Sequence, residues 1–95
     1  MLLLPETVTL REARDTLRML SQALQRDSGT ALTVDAGSLR EFDSAAIAVL
    51  LECRRLAQAW GKSFTVHRAP AKLVDLAKLY GVDALVALAP AEAAA

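Results

Sequence analysis

The chain has 95 residues, enough for one small domain built around a single hydrophobic core. Eleven basic and eleven acidic residues cancel, so net charge gives no attraction to nucleic acid or to an anionic membrane. Hydrophobic residues make up 54% of the sequence and aromatic residues only 4%. Ala and Leu supply most of the hydrophobic residues, and this composition favours a compact α/β domain over an all-β sandwich.

The chain is expected to be cytoplasmic. No apolar run approaches the roughly 20 residues that span a bilayer, and residues 1–4 are too short for a signal-peptide core. Cys53 is the single cysteine, so it forms no internal disulfide, and it has no partners at metal-ligand spacing. We expect no metal and no cofactor, and we interpret Cys53 as a small buried hydrophobic residue.

The first third of the chain predicts two short extended segments and one long helix. Residues 2–4 and 7–9 are extended, with a turn between them. Thr9 and Glu12 then fit the S/T-x-x-E capping box that opens a helix. Apolar residues follow at spacings of three and four, namely Leu10, Ala13, Leu17, Leu20 and Leu24. This stripe predicts a helix of about four turns with one side facing the core.

The rest of the chain continues the alternation of strands and helices. We predict strands over 31–36 and 64–67, a helix over about 45–60, and a third helix that begins at Pro70 and ends before Gly81. The buried face of the third helix is predicted as Leu73, Leu76, Ala77 and Tyr80. Residues 82–88 suggest another short helix. The whole pattern predicts a single α/β domain over 1–88, mostly parallel in its βαβ units, and an alanine-rich tail over 89–95.

The turn at Asp43-Ser44 is the most informative local feature. Ser44 is predicted to be the N-cap of the second helix, where its oxygen accepts a hydrogen bond from a backbone N–H group. A helix N-terminus also favours anions, so a phosphate on Ser44 would be stabilised there. The residues alone therefore leave two interpretations open: a helix cap, or a regulated recognition point.

The second helix carries more apolar residues than one buried stripe needs. The stripe expected to face the sheet contains Ala46, Val49, Leu50, Cys53, Leu56, Ala57 and Trp60. Ile47 and Leu51 lie about 120–160° away from its centre. Either they form a contact patch beside Ser44 with Arg54 on its rim, or the third helix or the tail covers them.

Catalysis has little support in the sequence. His67 is the only histidine, and it has no nucleophile or carboxylate at motif spacing. The four glycines are isolated, so there is no phosphate-binding loop or dinucleotide fingerprint. We therefore expect a binding protein and not an enzyme.

Residues 42–51, which read Phe-Asp-Ser-Ala-Ala-Ile-Ala-Val-Leu-Leu, resemble the signature turn and helix of STAS domains. That family includes anti-sigma-factor antagonists, in which a partner kinase phosphorylates the serine matched by Ser44. The resemblance implies a STAS-like mixed β-sheet of about four strands with helices packed mainly on one side. The pair Ala45-Ala46 departs from the small or glycine-containing pair of the sigma-regulating members, which disfavours the phosphorylation switch.

Residues 76–82, Leu-Ala-Lys-Leu-Tyr-Gly-Val, resemble a segment of MlaB-type proteins. These are cytoplasmic STAS subunits of the Mla phospholipid transporter, which helps maintain outer-membrane lipid asymmetry in Gram-negative bacteria. The resemblance implies a subunit that binds and supports an MlaF-type ABC-transporter ATPase and reaches the membrane only through it. The partner-binding residues expected on this basis are Arg40, Asp43, Ser44, Ala45, Ile47, Leu51 and Arg54.

Three functional hypotheses follow, with the transporter subunit first. The alternative is a phosphorylation-switched anti-sigma-factor antagonist, with Ser44 as the phosphorylated residue. A lipid-binding module is the third, but so small a core leaves little room for an acyl chain. The N-terminus is also short for the family, so the first strand is expected to be missing or supplied otherwise. An unpaired sheet edge there would favour a homodimer or strand exchange.

Overall fold

The computed structural model describes residues 2–82 and the strand at residues 88–90. The strands of this part of the chain are β1 (Leu2–Leu3), β2 (Thr7–Val8), β3 (Ala31–Asp35), β4 (Glu41–Phe42), β5 (Ser63–Ala69) and β6 (Leu88–Pro90). Its helices are α1 (Leu10–Arg26), α2 (Ser44–Ala59) and α3 (Ala71–Leu79). The predicted α/β class is confirmed. Strand β6 includes residues 89 and 90 of the predicted tail, whereas residues 83–87 of the predicted last helix and 91–95 lie outside the described residues.

Four strands form one sheet in the order β1-β3-β5-β6, and β2 pairs separately with β4. Where the sequence suggests a mixed sheet, all described pairs are parallel, because the connections return each strand in the same direction. The first strand is present, although short, with Leu2 opposite Val34 and Leu3 opposite Asp35. The sheet of four strands agrees with the sequence-based expectation.

The helices cover one face of the central strands. Leu32 and Val34 of β3 lie opposite Phe64 and Val66 of β5, and all four side chains are buried. The threonines between them are only half-buried, which gives the alternation of a strand with one covered face. The helices complete this core with Leu20, Leu24, Ala46, Leu50, Cys53, Leu73 and Ala77.

Three apolar residues that periodicity places in the core are exposed instead. The exposed fraction is 80% for Leu10, 54% for Tyr80 and 43% for Trp60. Leu10 is the first residue of α1, whereas Trp60 and Tyr80 are the C-caps of α2 and α3. The predicted stripes therefore lie on the correct side of each helix. They are too long, because the residues at these helix ends extend beyond the core.

Both ends of α1 are fixed by charged side chains. The Glu12 carboxylate accepts a hydrogen bond from the Thr9 N–H at 3.0 Å, which is the side-chain-to-backbone bond of the predicted capping box, and another from the Thr9 hydroxyl. The bond from the Thr9 hydroxyl is the main reason that the pKa of Glu12 is lowered. At the other end, the Lys62 ammonium donates to the carbonyl oxygens of Leu24 and Asp27. A cation at a helix C-terminus is favourable because the last carbonyls are unpaired and partly negative.

An ion pair between a buried carboxylate and an exposed guanidinium joins β3 to β5 at their carboxyl ends. The Asp35 side chain is 10% exposed, and its Oδ2 accepts from Arg68 Nη2 at 2.8 Å. Oδ1 accepts from the Gly37 N–H at 2.8 Å. Arg68 has φ +56°, a strained value for a residue with a side chain. A Cβ at Gly37 would lie 2.6 Å from the Arg68 guanidinium carbon, so glycine is what lets Arg68 reach Asp35.

We predict that Lys62→Met lowers the free energy of unfolding by about 1–2 kcal/mol, since it keeps the apolar stem but removes the donors to the end of α1. Urea denaturation followed by far-UV circular dichroism measures the change. Lys72→Met provides the matched control because Lys72 is exposed, and it should cost less than about 0.5 kcal/mol. Equal effects of the two variants would show that the Lys62 contacts do not stabilise the helix.

We predict that the difference in unfolding free energy between the wild type and Asp35→Asn narrows in acid. The hydrogen bond from Arg68, followed by that from Gly37, lowers the pKa of Asp35 in the folded state below 3.8. The stabilisation by the ionised carboxylate is therefore present above that value and lost as the pH falls through the folded-state pKa. Urea denaturation between about pH 6 and about pH 2.5 measures this. Asp75→Asn controls for the loss of an exposed carboxylate, and a difference that stays constant into acid would contradict the prediction.

Candidate functional site

One carboxylate organises the start of two helices. Asp43 is the N-cap of α2, and its Oδ1 accepts a hydrogen bond from the Ala45 N–H at 2.8 Å. Its Oδ2 accepts from the N–H of Leu10, the first residue of α1, at 3.2 Å. Asp43 therefore holds the N-termini of α1 and α2 together. The prediction that Ser44 caps α2 is wrong, because Ser44 is the first helical residue and the preceding aspartate does the capping.

The Ser44 hydroxyl therefore takes no part in capping α2. The side chain is exposed, and it makes no hydrogen bond within the described residues. It projects from the N-terminal end of α2, where unpaired backbone N–H groups create a partial positive charge. A hydroxyl in this position can donate to or accept from another molecule without weakening the cap.

Three surface depressions meet at Ser44. The first is an open groove of about 580 Å³ between α1 and α2, and Leu10, Ala13, Leu17 and Ala48 supply part of its lining. The second lies toward α3 and is lined by polar and charged residues as well, including Arg40, Lys72 and Tyr80. The third is small and apolar, with Ala48, Leu51 and Tyr80 among its lining residues. Among the described residues, Ser44 alone lines all three.

The structure resolves the two interpretations of Ile47 and Leu51. Ile47 is only 4% exposed and belongs to the core, so it is not the exposed centre of a contact patch. Leu51 is half-buried. Residues at the end of α3, Tyr80 and Val82, line the same depression as Ile47 and Leu51. Ile47 is therefore a core residue, whereas Leu51 remains partly accessible beside Tyr80 and Val82.

The other predicted site residues are distributed unevenly around Ser44. Ala45 lines the groove and is half-buried. Arg40 is exposed in the second depression, and its Nε lies 3.6 Å from Glu6 Oε1 in an open ion pair. Arg54 lies ten residues beyond Ser44 on α2, about 15 Å along the helix axis. Arg54 is thus distant from the point where the depressions meet.

Sequence reasoning missed three surface residues that lie close to Ser44. Ala48 is exposed one turn along α2 and lines two of the depressions. Leu10 and Tyr80 also line them, although periodicity assigns both to the core. The exposure of Leu10 and Tyr80 could have been predicted from their positions at helix ends, because a terminal residue has helical neighbours on one side only.

The cysteine and the acidic residues were the other candidates for a chemical site in the described part of the chain. Burial, together with the neighbouring Glu52, raises the pKa of the Cys53 thiol to about 12, so this thiol stays protonated at neutral pH. No group of three or more His, Cys, Asp or Glu side chains in residues 2–82 could hold a metal ion. In that same range, no helix has both the length and the apolar character needed to cross a membrane.

Residues 1–87 match a family model for the STAS domain that is described as "Mlab, STAS domain". The chain belongs to the STAS domain family. Among curated proteins, no match to this chain was found. The match spans all but the last residues of the chain and includes the Asp43-Ser44 turn, which agrees with the small parallel α/β fold. Membership in this family indicates a small regulatory or transport-associated module.

We predict that Asp43→Ala lowers the free energy of unfolding by about 1–2 kcal/mol, because both helices lose a hydrogen bond to their first turn. Ser44→Ala is the adjacent control and should change it by less than about 0.5 kcal/mol. Urea denaturation measures both variants. If Ser44→Ala proved to be the more destabilising change, Ser44 and not Asp43 would be the working cap.

Proposed function

We propose that the chain is a non-catalytic STAS subunit that binds and supports the ATPase of an ABC-type phospholipid transporter. The family match with its Mlab description supports the transporter branch. In this proposal the subunit is cytoplasmic, meets the membrane only through its partner, and contributes to outer-membrane lipid asymmetry. The observation that carries the proposal is the exposed, unused Ser44 hydroxyl at the meeting point of three depressions.

The proposed contact surface is the Ser44 face, which we define as Ser44, Ala48, Leu51 and Tyr80. Its centre combines a hydroxyl with small and apolar side chains, and Arg40 lies at its edge. An interface of this kind, with an apolar centre and a charged rim, is typical of protein–protein contacts. Tyr80 is about half exposed and can bury its ring and pair its hydroxyl on binding, as interface tyrosines often do.

Two exposed alanines of α2 provide a matched test of this surface. Ala48→Glu places a charge in the centre of the Ser44 face, whereas Ala59→Glu makes the same change at the last residue of α2. We expect Ala48→Glu to weaken binding to the ATPase subunit at least about tenfold, since a carboxylate would be buried without a partner. Ala59→Glu should bind as the wild type does.

Co-purification with the transporter ATPase and its rate of ATP hydrolysis are the measurements. The double variant Ser44→Asp/Leu51→Glu should lose both complex formation and stimulation of the ATPase. Thermal unfolding of each variant shows whether it is folded, which matters for the half-buried Leu51. If the folded variants retained the complex and the ATPase rate, the Ser44 face would not be the docking surface.

The second candidate is a phosphorylation-switched antagonist of an anti-sigma factor. The exposure of the Ser44 hydroxyl favours it, because a kinase needs such access. A phosphate there would add about −1.5 to −2 charges beside Asp43 and repel an apolar or acidic partner. Intact-mass measurement of protein purified from its own cells decides between the two: a phosphorylated form that Ser44→Ala removes would support the antagonist.

A further inference from the structure

The groove between α1 and α2 has the character of a binding surface, and it adjoins the Ser44 face, with which it shares Ser44 and Ala48. Its α1 wall carries Leu10, which is 80% exposed, and Leu17, which is half-buried. These leucines lie two helical turns apart, about 10 Å along the axis. The α2 wall presents the small side chains of Ala45 and Ala48, so the groove is open above them.

The outer edge of this groove is basic. Arg14 lines it, and Arg18 follows one turn later on the exposed side of α1. Within the described residues, neither arginine has a carboxylate within 4 Å, although Arg40, Arg55 and Arg68 do. Like charges four residues apart on a helix repel each other. An acidic group above them would relieve that repulsion.

Three of the nearby carboxylates are already engaged in other contacts, and Asp15 lines a separate depression with Arg11 and Met19. Glu12 binds Thr9, and Glu52 binds Arg55. Both Asp43 oxygens accept from backbone N–H groups. The groove therefore combines one exposed leucine, one half-buried leucine and small alanines with a basic edge whose charge is not neutralised by these neighbours.

We propose that this groove binds an amphipathic α-helix of a partner protein, whose leucine-type side chains enter between α1 and α2 and whose acidic residues face Arg14 and Arg18. A helix fits because a surface formed by two helices offers grooves that a third helix can enter at the usual 8–10 Å spacing. A second copy of this chain is disfavoured, since α1 carries four arginines against Glu12 and Asp15 and would oppose another basic surface. This proposal goes beyond the proposed function and does not depend on the ATPase.

A pair of designed peptides tests the groove without knowledge of the partner. Each is a helix of about 16 residues with the same leucine stripe, flanked by glutamates in one and by lysines in the other. Fluorescence anisotropy measures their affinities, and ¹⁵N chemical-shift changes map the contact. We expect the glutamate-flanked peptide to bind about three- to tenfold more tightly and to shift residues 10–17 and 44–49.

Charge reversal provides the decisive comparison. Arg14→Glu/Arg18→Glu should invert the preference toward the lysine-flanked peptide. Arg11→Glu/Arg26→Glu makes the same change in net charge on the same helix, away from the groove, and should preserve the original order of affinities. Leu10→Ser removes an exposed side chain and should weaken both peptides without unfolding the domain.

Several outcomes would overturn the proposal. These are equal affinity for the two peptides, shifts confined to other residues, or no binding of either peptide at millimolar concentration. Binding of phosphatidylglycerol vesicles in place of the peptides, lost in Arg14→Glu/Arg18→Glu, would assign the groove to a membrane surface. Concentration-dependent dimerisation that Leu10→Ser abolishes would assign it to a second copy of the chain.

Discussion

The surface of this domain depends on the position of one carboxylate, that of Asp43, between the N-termini of α1 and α2. Each helix start carries unpaired N–H groups and a partial positive charge, so two such ends repel each other when they converge. Asp43 removes this repulsion by accepting one hydrogen bond from each helix. The distance between the two helix starts, and with it the width of the groove, is set by the span of a single side chain. Ser44 is free for other contacts for the same reason.

The remaining charged residues divide into those that hold the fold and those that remain available. Glu12 and Lys62 fix the two ends of α1, and Asp35 with Arg68 joins the ends of β3 and β5. These groups already have their partners. In contrast, Arg14 lines the groove and is exposed, as is Arg18 one helical turn later. A chain with no net charge can therefore still offer a basic edge at one place, which a composition average cannot reveal.

The strands and helices were predictable because their signals are local. Apolar residues alternate with more polar ones in β3 and β5, and this alternation predicts which side chains are buried. The Thr9–Glu12 pair predicts the start of α1. The N-cap of α2 is Asp43, one residue before the predicted Ser44. Aspartate and serine are equally good N-caps, and the two residues are adjacent in the sequence. Only the extended backbone of Asp43, together with the position of the Leu10 N–H, decides between them.

The candidate site was less predictable because distant segments determine its exposure. Ile47 is off the predicted stripe of its own helix, yet it belongs to the core and lines the same depression as Tyr80 and Val82, which follow α3. Leu10 is in phase with a buried stripe, yet it lies beyond the core at the start of α1. Periodicity describes how side chains are arranged around one helix, but burial depends on which other elements reach each side.

The shared border of the groove and the Ser44 face makes the two surfaces interdependent. Ser44 and Ala48 line both, so a change at either residue alters the shape of two binding surfaces at once. A phosphate on Ser44 would compete with the Asp43 carboxylate for the same N–H groups and would repel it. Weakening that carboxylate's bond to Leu10 would loosen the contact between the two helix starts. Phosphorylation of Ser44 would therefore act on the groove through Asp43 as well as on a partner in contact with Ser44.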